Sequence, residues 1–84
     1  MADVRVTFIH PTDGRLLTVV LDDTMTGSEV TGELIANDFI PPDSQGYELS
    51  IKGGALIPAD QTLAQAGVHE GTAIRVIPAT DAGF

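Results

Sequence analysis

The residues whose types most directly suggest chemistry stand at the C-terminal end. Ala79-Thr80-Asp81-Ala82-Gly83-Phe84 follows an apolar strand pattern, Ala73 to Ile77, that Pro78 ends. This tail holds nothing that could join a core except its terminal aromatic. Gly83 stands one residue from the end. Having no Cβ, glycine passes through a narrow channel and accepts any φ/ψ. A small acidic domain with such a tail could offer it to the active site of another protein. Lys52 is the only lysine, and so a possible acceptor amine; a solvated strand-end residue is the plainer reading.

The remaining chemistry-bearing residues form no constellation. His10 and His69 each stand alone beside a turn signal, without a third ligand at metal spacing. Asp22-Asp23 and Asp38/Asp43 lie in loops next to helix and strand ends. Capping and solubility explain such acids better than general acid–base work. There is no cysteine nucleophile, no Gly-x-Ser-x-Gly elbow and no phosphate loop. The expectation is a protein that is not an enzyme and needs no cofactor or metal. Arg5, Arg15 and Arg75 would form a small basic spot only if the strands near them are neighbours.

Composition narrows the classes further. Eighty-four residues make one domain. A chain this short buries only about 60–65% of its unfolded surface, and without cysteine no disulfide or thiolate metal site supplements the core. Twelve acids against four bases give a net charge of −8. Nucleic acid and anionic membranes are disfavoured, because both need clustered Lys and Arg. No apolar run approaches the ~20 residues of a membrane span. Met1-Ala2-Asp3 lacks the basic and apolar regions of a secretory signal. The expected location is the cytoplasm.

The elements that must position these residues are legible in the patterning. Val4-Arg5-Val6-Thr7-Phe8-Ile9 alternates, with Val4, Val6 and Phe8 on one face. His10 to Arg15 is turn chemistry, and Leu16 to Leu21 is a second apolar run, so the two form a hairpin. Thr26-Gly27-Ser28-Glu29 has the spacing of a capping box. Val30, Leu34, Ile35 and Phe39 continue at helical spacing, predicting a helix from Gly27 to Asp38. Gly27 and Gly32 would weaken its interior by about 1 kcal/mol each, so packing across a sheet must hold it. Pro41 ends it. Tyr47, Leu49 and Ile51 alternate as a third strand, and Ala55-Leu56-Ile57 reads as a short fourth. Leu63 to Ala66 reads as one helical turn stopped by Gly67. Ile74 and Val76 face inward on the last strand. The expected core is Val4, Val6, Phe8, Leu17, Val19, Val30, Leu34, Tyr47, Leu49, Ile51, Leu56, Leu63, Val68, Ile74 and Val76. Two strands, a helix and further strands imply an α+β domain with one helix on a mixed sheet of four to five strands.

At this point the chain resembles ubiquitin. The most specific piece is Ile40-Pro41-Pro42-Asp43, with Gln45 just after it, at the end of the long helix. Val30 and Leu34 stand ten and six residues before Ile40, as the matching core residues do in ubiquitin, and Thr26 takes the place of its capping threonine. Leu63, Val68 and Ile74 keep ubiquitin's spacing without a gap, which brings Gly83 to the place of its terminal glycine. The pattern departs at Ala82, where the penultimate glycine would be, and at Thr80-Asp81, where ubiquitin is basic. Glu48 and Ser50 face outward where ubiquitin presents an apolar patch. Ala66-Gly67-Val68-His69-Glu70-Gly71 is similar to segments of bacterial ubiquitin-like domains, including small YukD-like proteins of specialised secretion systems.

The resemblance implies a ubiquitin-like β-grasp domain over residues 1–78 and a flexible tail over 79–84. It implies a prokaryotic modifier conjugated to target proteins through Gly83. A peptidase would cut between Gly83 and Phe84, an activating enzyme would adenylate the freed carboxylate, and a conjugating enzyme would transfer it. Ala79, Thr80, Asp81 and Ala82 would dock in those enzymes, and Lys52 would be the acceptor for a second copy. The alternative is a non-covalent adaptor or subunit, as in YukD-like secretion components, acting through its surface. A sulfur carrier is disfavoured, because those proteins generally end in a bare Gly-Gly.

Overall fold

A computed structural model describes residues 2–42 and 46–79. The chain forms β1 (Asp3–Ile9), β2 (Leu16–Asp22), α1 (Gly27–Ala36), β3 (Tyr47–Ile51), β4 (Leu56–Ile57) and β5 (Thr72–Pro78). One mixed sheet runs in the order β2-β1-β5-β3-β4. The first and last strands lie side by side in parallel, with Phe8 opposite Ile74. Their alternation puts Val4, Val6, Phe8, Ile74 and Val76 on the inner face, where all are buried. Val30 and Leu34 of α1 join the same cluster, so the helix lies across that face. This is a ubiquitin-like β-grasp.

The helix ends are set by local chemistry. The Thr26 hydroxyl accepts from the Glu29 amide, and the Glu29 carboxylate accepts from the Thr26 amide, at 3.2 and 2.9 Å. The helix stops at Ala36, two residues before the expected Asp38. Asn37 is the C-cap, and Asp38 takes φ 59°. The Phe39 and Asp38 amides then donate back to the Leu34 and Ile35 carbonyls. That pair of bonds is a Schellman closure with Asp where Gly is usual. It reverses the chain and buries Phe39 and Ile40, neither of which is in the expected core. The predicted turn at Leu63–Ala66 closes in the same way on Gly67, whose φ is 86°. Val68 donates to the Leu63 carbonyl, and Gly67 to the Ala64 carbonyl.

Two further expectations are corrected. Leu56 is 55% exposed and Ile57 takes its place in the core. β4 is a two-residue strand, too short for period-2 patterning to fix its phase. On β2, Leu21 is the buried residue, while Leu17 and Val19 pack at the rim of the core. Tyr47 and Ile51 are likewise half-buried.

Candidate interaction surfaces

The tail residues Thr80, Asp81, Ala82, Gly83 and Phe84 lie outside the described residues, as does Asp43. Ala79 is described. Its amide donates to the Gly46 carbonyl at 3.1 Å, extending the β3–β5 register by one pair beyond Tyr47 and Pro78. Lys52 sits just past β3 with an exposed side chain, and its amide donates to the Ala73 carbonyl at 2.9 Å.

The histidines are far apart in role. His10 packs edge-on against the Phe39 ring, with centroids 5.3 Å apart. Its Nδ1 accepts from the Thr12 amide at 3.1 Å and lies 3.2 Å from Asp13 Oδ1. His69 sits in the turn before β5, its amide bonded to the Thr72 hydroxyl. Among the described residues no three His, Asp or Glu side chains gather to hold a metal ion. The acids cap turns. Asp13 accepts from the Arg15 amide, and Asp22 from the amide and hydroxyl of Thr24. Those bonds, chiefly from the Arg15 amide to Asp13 and from the Thr24 amide to Asp22, hold both carboxyls below their usual pKa.

The three arginines do not form a basic spot, although β2, β1 and β5 are neighbours. Arg5 is ion-paired with Glu70 at 3.4 Å. Arg15 reaches to the helix end, where it donates to the Phe39 carbonyl at 3.2 Å. Arg75 stays on the outer sheet face, between Ile9 and Ser50 in register.

Two surfaces could receive a partner. The outer sheet face carries exposed Leu16 and Val20 beside a Thr7–Thr18 hydroxyl pair. The other is a groove of about 670 Å³ between α1 and the β3–β4 edge. Its helix wall is made of small residues, Gly27, Ser28, Thr31 and Gly32, with Ile35 at the far end. Pro58 and Ala59 close the near end. The Ala59 and Gln61 carbonyls accept from the Ser28 and Gly27 amides, so the first-turn amides are occupied and offer no anion site. No sequence motif marks this groove; the one signal is a mid-helix Gly32 that the helix itself does not need.

Residues 3–76 match the sequence profile of YukD, a protein of the WXG100 protein secretion system. The chain belongs to the YukD family. No curated protein matches it. Solved structures agree on the fold. The ubiquitin-like domain of the Mycobacterium tuberculosis type VII secretion protein ECCD1 is similar at TM-score 0.63 and 20% identity, covering 92% of this chain and 99% of that one. Caldiarchaeum subterraneum ubiquitin is similar at TM-score 0.72 and 24% identity, covering 92% and 94%. A chain of a toluene 4-monooxygenase HD complex reaches TM-score 0.74 at 20% identity, covering 89% and 96%. The YukD match takes in β1 to β4, the helix and β5 as far as Val76, and stops short of the tail.

Proposed function

We propose that this protein is a non-covalent ubiquitin-like subunit of a WXG100-type secretion system, acting through its folded surface. The observation that carries this reading is the family match over residues 3–76, which covers the β-grasp body and leaves out Ala79 to Phe84. The likeness to the ECCD1 domain supports the same reading, since that domain is part of a secretion protein. No helix among the described residues is long and apolar enough to cross a membrane. A body of this kind would therefore work by attachment to other subunits. The test is genetic. Deleting the gene should stop export of the WXG100 proteins of its own cluster, and a chain cut after Pro78 should restore it. Export unchanged by the deletion would refute the reading.

A second reading is favoured by the register of Gly83. After removal of Phe84, Gly83 would be adenylated and joined to a target. This would need an activating enzyme, a conjugating enzyme and a peptidase as partners. Ala79 to Ala82 would line the path into those enzymes, and Lys52 would accept a second copy. Intact mass of the protein from its native cells tests it. Loss of one phenylalanine, or adducts through Gly83, would favour this reading; full-length mass in all conditions would end it.

A further inference from the structure

Gly32 is a residue the isolated domain gains nothing from. It stands in the interior of α1, where glycine weakens a helix relative to alanine. A Cβ built on it meets nothing within 4 Å, so no contact within the domain demands its absence. Gly27 differs: its Cβ would come 2.8 Å from the Pro58 carbonyl oxygen. Bare backbone at Gly32 instead opens the wall of the groove, letting another backbone approach closely.

We propose that this groove receives an amphipathic helix of a partner subunit, with an apolar face and Lys or Arg along its flanks. The inference rests on the secretion-subunit reading. Three observations specify the occupant. The floor is apolar, made by Leu49 and Ile57, with exposed Leu56 at the rim. The volume of about 670 Å³ suits several inserted side chains. Among the described residues Glu48 is the one charge in the lining; its register opposite Ile77 turns it toward the outer sheet face, so it stands at the rim of the groove, and the protein carries −8 overall. The local field therefore attracts a basic segment and repels a second copy of this chain. Ser28 and Gly32, four apart on one helix face, allow the close packing that an incoming helix needs.

The test uses overlapping synthetic peptides of about 20 residues, roughly 30 Å as a helix. They are tiled through the soluble segments of the secretion proteins encoded beside this gene. Binding is read from the amide NMR spectrum of the whole protein. A peptide with a helix-period apolar face and net positive charge should shift Thr31, Gly32, Ile35 and Leu56, and leave Thr7 and Thr18 unmoved. Gly32→Trp should abolish the shifts while the rest of the spectrum stays folded. Gly32→Ala should raise the melting temperature yet weaken binding. Glu48→Lys should weaken it by about tenfold. No peptide shifting those amides, acidic peptides binding equally well, shifts confined to the outer sheet face, or a concentration-dependent dimer using the groove would each overturn the proposal. Complementation separates the two levels. If deletion stops export and Gly32→Trp fully restores it, the groove inference fails alone. If deletion leaves export unchanged, the secretion reading fails.

Discussion

The Arg15 guanidinium lies 5.6 Å over the Phe39 ring and donates to the Phe39 carbonyl at 3.2 Å. One side chain thus ties the β1–β2 turn to the end of α1. It does so twice, through a charged hydrogen bond and through the ring face. Asp13 holds it from behind, accepting from its amide and lying 3.9 Å from its Nη1. His10 packs on the same ring from the edge. This junction, rather than a basic docking spot, is what Arg15 contributes.

Arg15→Ala should therefore destabilise the fold by about 1–2 kcal/mol. Arg15→Lys should recover only part of that, because an ammonium lacks the planar fork. Urea denaturation of the three proteins checks it. Equal stability of Arg15→Ala and the parent would show that the junction contributes nothing.

Asp38 carries the left-handed turn that closes the helix, at φ 59°. Aspartate tolerates that region but pays a steric penalty that glycine escapes. Its carboxylate also stands at the negative end of the helix dipole, with no basic residue in the last turn. Asp38→Gly should stabilise the protein by about 1 kcal/mol. A lower melting temperature for the variant would mean that the Asp38 side chain does something the turn geometry does not reveal.

Those two sites also mark what the sequence could tell and where it stopped. The one-sided alternation of Val4, Val6 and Phe8, and of Ile74 and Val76, names the inner face of the central strands without ambiguity. The capping box at Thr26 and Glu29 is equally legible, because it depends on two residues at fixed spacing. Phe39 and Ile40 escape, because their burial depends on a left-handed Asp38 that the residue type does not announce. Leu56 misleads for a different reason: adjacent apolar residues on a two-residue strand leave the phase open, and only pairing with Leu49 settles it. The groove is less legible still. Its walls come from three segments distant in sequence, and Gly32 alone hints at it.

Acid stability should report on the two turn-capping carboxylates. Asp13 and Asp22 have folded pKa values below the ordinary 3.8, so the unfolded chain binds their protons more readily. Their contribution is complete above about pH 3.8 and is lost as pH falls from there through the lower folded values. The double variant Asp13→Asn, Asp22→Asn should be less steeply dependent on pH below that point, seen in urea midpoints measured between neutral and acid pH. Identical acid limbs for parent and variant would sink the assignment.

The end of the body can be located by cutting the chain. Ala79 donates to the Gly46 carbonyl, so it belongs energetically to the β3–β5 ladder although it follows Pro78. A chain ending at Ala79 keeps that bond, and one ending at Pro78 loses it. The two should differ by about 1 kcal/mol in stability, while the longer one matches the full chain. Under the secretion-subunit reading both should export WXG100 proteins normally, since neither removes a residue that lines the groove. Export lost in both, with thermal stability unchanged in the longer, would place function in Thr80 to Phe84 and favour conjugation through Gly83.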